Sequence, residues 1–215
     1  MDQIKRVING EEFIFDKRRV IYWPRRRALI AADLHWGKTH YFRQHGRALP
    51  EEAFEKELNI LSDVFKDYET KTFLVLGDLI HHEKSLTPEL LRRISWFRHY
   101  HPCELLLLQG NHDRYTDFPE SWGIIQEPEL RLDGFLFVHE EIKKGKEAHF
   151  VFSGHLHPMV SLKSGFEKIR APAFVLSSQS CYLPAFARLS GGVEIKLNAH
   201  SEALVVFDHG LEPFR

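Results

Sequence analysis

The apolar residues of the chain follow two kinds of pattern in its first half. Over residues 3–22 apolar and polar residues alternate, which is typical of strands with one buried face. Short continuous apolar runs, which suit strands buried on both faces, follow at 28–33, 72–78 and 104–109. Between these runs, apolar residues recur at helical spacing in two segments, 49–67 and 87–100. The first half is therefore predicted to alternate between strand and helix.

The ends of the two helices carry local signals. Pro50 is expected in the first turn of the first helix, with Glu51 and Glu52 behind it, because proline fits that position and acidic groups favour the positive end of the helix dipole. Thr87 and Pro88 are expected to open the second helix.

The second half of the chain is predicted to be mostly β-structure. Its apolar runs lie at 135–139, 149–154, 172–176 and 203–207, and few helical patterns separate them. Residues 140–147 are predicted to form an exposed, flexible loop. The whole pattern predicts one α/β domain over residues 1–215, built from two packed β-sheets flanked by helices.

Composition and charge narrow the classes of function. Hydrophobic residues make up 43% of the chain and charged residues 27%, as is ordinary for a soluble globular protein. We expect a cytoplasmic protein without a membrane segment, because no run approaches the ~20 apolar residues of a spanning helix and the N-terminus lacks a signal-peptide pattern. The net charge of −1 argues against a strongly electropositive nucleic-acid binder but permits a local basic patch.

Carboxylate, imidazole and amide side chains follow five of the predicted strands. They are Asp33, His35, Asp78, Asn111, His112, Asp113, His139, His155 and His157. Ligands bind beyond the carboxyl ends of strands in open α/β sheets, so we expect five successive strands to deliver these groups to one sheet edge. Such a donor set suits two divalent ions, with Mn²⁺ as first choice and Fe, Zn²⁺ or Mg²⁺ as alternatives. Asp78 is the candidate to bridge them.

Each of these residues alone has a structural alternative. An Asp at a strand end commonly caps a turn or a helix, and a His such as His139 at the end of an apolar strand is commonly a satisfied core residue. The pair His155 and His157 is more specific, since alternate residues of an extended segment share a face. Five separate structural explanations would have to coincide, which favours the metal site. His81 and His82 follow Asp78 closely and could line the pocket, but they are not assigned as ligands.

The ordered motifs resemble those of the calcineurin-like metallophosphoesterase superfamily. The motifs are Asp33-x-His35, Gly77-Asp78, Gly110-Asn-His-Asp113, His139 and Gly154-His-x-His157. The resemblance implies a two-sheet β-sandwich flanked by helices and a metal-dependent hydrolase that uses a water activated by two metal ions. It also implies the two ligand sets: Asp33, His35, Asp78 and His157 for one ion, and Asp78, Asn111, His139 and His155 for the other.

Two neighbouring residues receive catalytic roles. The resemblance places His112 beside the substrate phosphate, where it is predicted to donate a proton or a hydrogen bond to the leaving oxygen. Asp113 is predicted either to orient His112 or to cap a helix.

A narrower resemblance covers nearly the whole chain. Residues 32–38, 43–50, 183–186 and 191–192 are similar to the bacterial ligase-associated DNA damage response endonucleases. This resemblance implies a DNA phosphodiesterase in DNA repair, with a DNA ligase and a helicase-like protein as partners. Lys38, Arg43 and Arg47 are candidates to contact substrate phosphates, with a solvated loop as the alternative. The basic runs 17–19 and 25–27 could extend that patch but are expected to be exposed strand ends.

Two other functions stay open. A small-molecule pyrophosphatase of the UDP-2,3-diacylglucosamine hydrolase type shares the motifs but usually needs an apolar lid. Residues 79–102 are the one insertion-like candidate for a lid, and their pattern is that of an ordinary helix. A non-catalytic scaffold of the same fold would have lost ligands, and here the set is complete.

Overall fold

The alternating N-terminal segment forms the antiparallel half of a first sheet, as its pattern predicts. The computed structural model describes residues 1–50, 52–140, 150–164 and 167–215, and its first sheet has seven strands in chain order. They are β1 (Gln3–Ile8), β2 (Glu11–Asp16), β3 (Val20–Trp23), β4 (Ala28–Ala31), β5 (Thr72–Val75), β6 (Glu104–Leu108) and β7 (Ile124–Glu127). Strands β1 to β4 pair antiparallel, and β4 to β7 pair parallel.

The second half of the chain forms a second sheet, again as predicted. Its strands are β8 (Glu129–Leu132), β9 (Phe135–Val138), β10 (Phe150–Ser153), β11 (Met159–Ser164), β12 (Glu167–Leu176), β13 (Ser180–Tyr182), β14 (Glu202–Phe207) and β15 (Gly210–Phe214). The order is β15-β14-β12-β13-β10-β9-β8, and β11 pairs with β12. Strands β9, β10 and β13 run parallel to one another.

Three α-helices connect strands of the first sheet in the described residues. They are α1 (Lys38–Gln44), α2 (Ala53–Asp67) and α3 (Pro88–Tyr100). Helix α3 begins where the sequence predicts, because Pro88 occupies its first turn and the Thr87 hydroxyl accepts a hydrogen bond from the Leu90 N–H at 3.3 Å. The sequence does not predict α1, which is seven residues long and has no buried residue.

The start of α2 was predicted wrongly. The helix begins at Ala53 rather than with Pro50 in its first turn. The carbonyl of Pro50 instead accepts a hydrogen bond from the Ala53 N–H at 3.3 Å, which closes a turn ahead of the helix. Glu52 is the N-cap residue of α2 and lies outside its first turn, and Glu51 lies outside the described residues.

Apolar side chains pack on both faces of the first sheet. In β4, Ile30 points into the core between the two sheets, whereas Leu29 and Ala31 point to the core beneath the helices. This two-sided burial explains why the run is continuously apolar. The inter-sheet core is rich in aromatic rings, including Phe13, Trp23, Phe135, Phe137 and Phe152.

Two sequence predictions concern regions other than the sandwich core. The loop predicted at 140–147 lies outside the described residues apart from Glu140. In the described part of the chain, no helix is long and apolar enough to span a membrane.

Candidate metal centre

The predicted ligands meet between two sheets rather than at the edge of one. Strands β4, β5 and β6 belong to the first sheet, while β9 and β10 belong to the second. The strands are also not successive, because β7 and β8 lie between β6 and β9 in the chain. The prediction of one sheet edge was therefore wrong. The carboxyl ends of all five strands converge at one end of the sandwich, which is called the site end below.

The seven predicted ligands lie close together at the site end. The Asp33 Oδ1 lies 3.3 Å from the His157 Nε2, which in turn lies 3.3 Å from the His35 Nε2. Asp78 lies between two imidazoles, with Oδ2 3.9 Å from the His35 Nε2 and Oδ1 3.6 Å from the His139 Nε2. Asp78 therefore lies between two of the predicted ligands, and its bridging role stays a prediction.

The remaining two predicted ligands approach from the His139 side. The Asn111 Oδ1 lies 3.1 Å from the His139 Nε2, and the His155 Nδ1 lies 3.1 Å from the same atom. Two groups of predicted ligands have donor atoms close enough together to hold an ion, Asp33 with His35 and His157, and Asp33 with Asp78 and His139. In both groups the donor atoms lie within 4.8 Å of one another.

Backbone carbonyls fix the tautomers of two imidazoles. The Nδ1 of His139 lies 2.9 Å from the Leu76 carbonyl, and the Nδ1 of His157 lies 2.9 Å from the Gly191 carbonyl. Because a carbonyl oxygen only accepts, each Nδ1 carries the proton and each Nε2 turns a lone pair toward the cluster. Metal-bound histidines are commonly held in this way.

The charges of the cluster fit a bound cation. Burial raises the pKa of Asp78, and burial together with nearby Lys38 lowers the pKa of His35. Burial alone would lower the pKa of His157, but its hydrogen bond to Asp33 and the charge of Asp33 outweigh burial and raise it. A divalent metal binds neutral imidazoles and ionised carboxylates, so its binding would release the protons that the raised pKa values of His157 and Asp78 favour. The donor set present here therefore fits a divalent cation.

The backbone at the site is held in an uncommon conformation. Five site residues have a positive φ between 45° and 65°, in the left-handed region that most side chains avoid, namely Asp33, His35, Asp78, His155 and His157. Such strain concentrates at functional sites. Two glycines leave space beside these loops, since a Cβ at Gly77 would collide with His139 and a Cβ at Gly110 would collide with Asp78.

Asp113 has a different role from either one predicted. Its buried carboxylate accepts hydrogen bonds from the N–H groups of Asp78, Leu79 and Gly110, at 2.7, 3.0 and 3.0 Å. Its described hydrogen bonds go to backbone groups rather than to the His112 ring, and the residues that follow form a turn, not a helix. Burial raises the pKa of Asp113 to about 6. Asp113 therefore ties the loop after β5 to the loop after β6.

His112 is held at the mouth of the cluster. Its backbone N–H donates to the Asp78 Oδ1 at 3.0 Å, and its Nδ1 donates to the His81 carbonyl. The Nε2 therefore faces the cluster, 3.9 Å from the Asp78 Oδ2. One third of the side chain is exposed, which leaves it accessible to a bound substrate.

The structure places His81 in the pocket, which its position after Asp78 had left open. Its ring stacks on that of His112 with 5.1 Å between centroids, and His81, His35 and His112 form a further close group of donor atoms. Burial lowers the pKa of His81 to about 4, so the imidazole is neutral at pH 7.

The predicted phosphate-contacting residues separate in the structure. Lys38 lies beside His35, where it donates to the Ser190 hydroxyl at 2.8 Å and helps to line a cavity of about 10 Å³ with His35 and Glu57. Arg43 and Arg47 lie exposed at and beyond the end of α1. Arg43 donates to the Leu49 carbonyl at 3.0 Å, and the Arg47 guanidinium lies 5.0 Å from the centre of the Phe42 ring. The structure therefore brings only Lys38 against the cluster.

An open cavity of about 300 Å³ adjoins the cluster. It is lined by Asn111, Arg114, His139 and Glu140, among others. The cavity therefore leads to the His139 side of the centre.

Known proteins are similar to the chain in sequence and in fold. The family model for calcineurin-like phosphoesterase matches residues 26–141. The crystal structure of the Pseudomonas putida nuclease MPE is 30% identical to the chain, with 99% of this chain and 100% of that chain covered and a TM-score of 0.85. No curated protein matches the chain.

Proposed function

The chain belongs to the calcineurin-like phosphoesterase family, and from that membership we propose that it cleaves phosphodiester bonds of DNA with the help of two divalent ions. Its fold and family make it a metal-dependent hydrolase. The observation that carries the proposal is the convergence of two carboxylates and three imidazoles, those of Asp33, Asp78, His35, His139 and His157. Backbone carbonyls turn the Nε2 lone pairs of His139 and His157 toward the cluster.

The proposed ligands divide into two sets that share Asp78. Asp33, His35, Asp78 and His157 would hold one ion, and Asp78, Asn111, His139 and His155 would hold the other. When bound, such ions lower the pKa of water toward neutrality and offset the negative charge on phosphoryl oxygens. Mn²⁺ is our first choice, and the mixed oxygen and nitrogen donors also accept Fe, Zn²⁺ or Mg²⁺.

His112 is proposed as the residue that serves the leaving group. Because its Nδ1 donates to the His81 carbonyl, the Nε2 is the atom that faces the site, and the doubly protonated imidazolium is the form that can give a proton from Nε2 to the leaving oxygen. Asp113 does not touch the reacting atoms in this scheme. It holds the loops that carry Asp78 and His112 at their observed separation.

Nucleic acid is the proposed substrate class. The similar Pseudomonas putida protein is a nuclease, which supports this choice. Lys38 is the proposed contact to a phosphate beside the centre, with Arg43 and Arg47 farther out on the same side. The same proposal includes a place in DNA repair, a DNA ligase and a helicase-like protein as partners, and a cytoplasmic location. These parts of the proposal rest on the sequence resemblance.

The alternatives gain no support from the structure. The segment 79–102 contains α3, whose apolar residues Leu90, Ile94 and Phe97 are buried beneath the first sheet instead of forming an exposed apolar lid. The segment 79–102 therefore does not supply the lid expected of a pyrophosphatase that acts on an acylated substrate. A non-catalytic scaffold would not need the full set of inward-facing donors.

A screen of metals against substrates tests the proposed function. The purified protein would be stripped by a chelator, reloaded with Mn²⁺, Fe²⁺, Zn²⁺ or Mg²⁺, and assayed on single-stranded DNA, a nucleotide-sugar diphosphate and a cyclic nucleotide. We expect metal-dependent cleavage of DNA. Turnover of the sugar diphosphate without DNA cleavage would favour the pyrophosphatase, and a fully loaded protein without any turnover would favour the scaffold.

A further inference from the structure

A separate cavity, of about 290 Å³, has a strongly cationic wall. Four of its lining residues are basic, Lys17, Arg18, Arg19 and Arg188, and Asp208 is the one acidic residue among them. Its remaining wall includes Ile60, Pro172 and Phe207. We call this cavity the basic pocket.

The basic pocket lies at the site end of the sandwich. Strands β3 and β4 are antiparallel, and Ile21 lies opposite Ile30. The turn at 17–19, which precedes β3, therefore extends past the carboxyl end of β4, the end that Asp33 follows. By contrast, the second basic run, 25–27, lies at the opposite end of β4.

A short segment of backbone connects the basic pocket to the metal centre. The N–H of Phe186 donates to the Ala32 carbonyl at 2.8 Å, and the N–H of Ala187 donates to the Asp33 carbonyl at 3.2 Å. Arg188 is the next residue, and its side chain lines the basic pocket. Arg188, which lines the pocket, therefore directly follows a residue whose backbone is hydrogen-bonded to the predicted metal ligand Asp33.

Arg19 is a largely desolvated cation in the wall of the pocket. Its Nη1 donates to the carbonyls of Ala185 and Ala187 at 3.0 and 3.2 Å, while its buried Nε has no hydrogen-bond partner among the described residues. Burial lowers the pKa of Arg19 to about 10, so the guanidinium remains charged at pH 7. An anion bound in the pocket would stabilise this buried cation through its charge.

The carboxylates around the pocket differ in how firmly they are held. Arg18 is balanced by Asp16, at 2.7 Å, and by Asp67, at 2.6 Å. The carboxylate partners of Lys17 and Arg188 are loosely placed, since the Asp2 side chain beside Lys17 is 70% exposed and the Asp208 side chain beside Arg188 is 95% exposed. Exposed ion pairs contribute only about 0–1 kcal/mol, so a phosphate can replace them at small cost.

We propose that the basic pocket binds a phosphate of a polynucleotide other than the phosphate that is cleaved. The proposal rests on the proposed function, because it requires a nucleic-acid strand at the metal centre. Guanidinium groups bind phosphate oxygens through paired hydrogen bonds, and such contacts position a strand without reading its sequence. The substrate is then a strand of several nucleotides, because a small diester has no second phosphate to occupy the pocket.

The test compares a long and a small substrate. The double variant Arg188→Ala with Lys17→Ala removes one exposed and one partly buried cation but keeps the backbone N–H of Arg188, which donates to Glu57 at 2.7 Å. The matched control is Arg26→Ala, an exposed arginine at the other end of β4 that pairs with Asp133. Initial rates would be measured for each protein on a long single-stranded oligonucleotide and on bis(p-nitrophenyl) phosphate.

We expect the double variant to raise KM for the oligonucleotide by roughly tenfold, and kcat/KM for the small diester to stay within about twofold of wild type. The slope of log KM against log salt should fall by about 0.7 for each lost phosphate contact. The control should match wild type on both substrates.

The other outcomes overturn the proposal in distinguishable ways. Equal losses on both substrates, or none on the oligonucleotide, would show that the pocket does not bind the strand. Stimulation of small-diester hydrolysis by inorganic phosphate, lost in the double variant, would make the pocket a site for free phosphate instead. A wild-type protein that cleaves only the small diester would overturn this proposal while leaving the hydrolase intact, and one that cleaves neither substrate would overturn the proposed function as well.

Discussion

The carboxylate of Asp113 accepts a hydrogen bond of 2.7 Å from the backbone N–H of Asp78. The same carboxylate binds the N–H of Gly110, so one buried side chain sets the spacing of two loops that carry predicted metal ligands. Conversely, the Asp78 Oδ1 accepts a hydrogen bond from the backbone N–H of His112, in the loop that carries Asp113. The two aspartates thus hold each other's loops in place, and only one of them faces the centre.

Replacing Asp113 with Asn should destabilise the fold. An amide presents only one acceptor oxygen to N–H groups that now bind two, and hydrogen bonds to a charged group contribute about 1.5–3 kcal/mol each. We expect the free energy of unfolding to fall by about 2–4 kcal/mol in urea titrations at pH 7. Asp117→Asn, at an exposed position nearby, is the control. Equal stability of the two variants would contradict the structural role given to Asp113.

Replacing Gly77 with Ala should expel metal from the centre. The new Cβ would collide with the ring of His139. Gly134→Ala is a close control, because Gly134 has a similar positive φ (80° against 77°) but open space around its Cβ position. Both variants carry the backbone cost of about 1–2 kcal/mol. Only Gly77→Ala should lose bound metal in elemental analysis, and equal metal content in the two proteins would disprove the clash argument.

His112→Asn should lower kcat without loss of metal. The backbone N–H that donates to Asp78 remains, so the loop keeps its anchor. General acid catalysis contributes about 10²–10⁴-fold, and the loss should be large for a diester with an alkoxide leaving group and small for one that releases p-nitrophenolate. The exposed His99→Asn serves as control. A loss of the same size for both leaving groups would rule out proton donation by His112.

Glu57 should make stability depend on pH. Burial raises the pKa of Glu57 from 4.5 to about 7. The contribution of protonated Glu57 to the free energy of unfolding is therefore fully present below about pH 4.5 and is lost as the pH rises through about 7. At about 1.36 kcal/mol per pKa unit, the free energy of unfolding of Glu57→Gln should rise by on the order of 2–3 kcal/mol relative to that of wild type when the pH is raised from 5 to 8. Urea unfolding at both pH values measures this difference. A constant difference, like that expected for the exposed Glu52→Gln, would contradict the assignment.

The sequence predicts those parts of the fold that local patterns record. Continuous apolar runs identify β4, β5 and β6, because both faces of these strands are buried. The edge strands β7 and β8 bury little of their surface, so no hydrophobic pattern marks them. Helix α1 is missed for the same reason.

The candidate site is predictable in its members but not in its arrangement. The motif order identifies Asp33, Asp78 and the histidines, and the structure brings them together. That they come from two sheets depends on long-range strand pairing, which no local pattern records. The role of Asp113 is also hidden, because besides the nearby Gly110 N–H its partners are backbone N–H groups of a loop more than 30 residues away.

The most direct test of the two-metal proposal is the metal content and activity of Asp78→Asn. Asp78 lies between His35 and His139, so its carboxylate is the group that both proposed ligand sets share. We predict that the variant retains fewer than two ions per chain after loading with Mn²⁺ and that it hydrolyses a chromogenic phosphodiester more than about 100-fold more slowly than wild type, since loss of even an outer partner of a ligand costs 10–100-fold. Full metal occupancy together with wild-type hydrolysis would contradict the account.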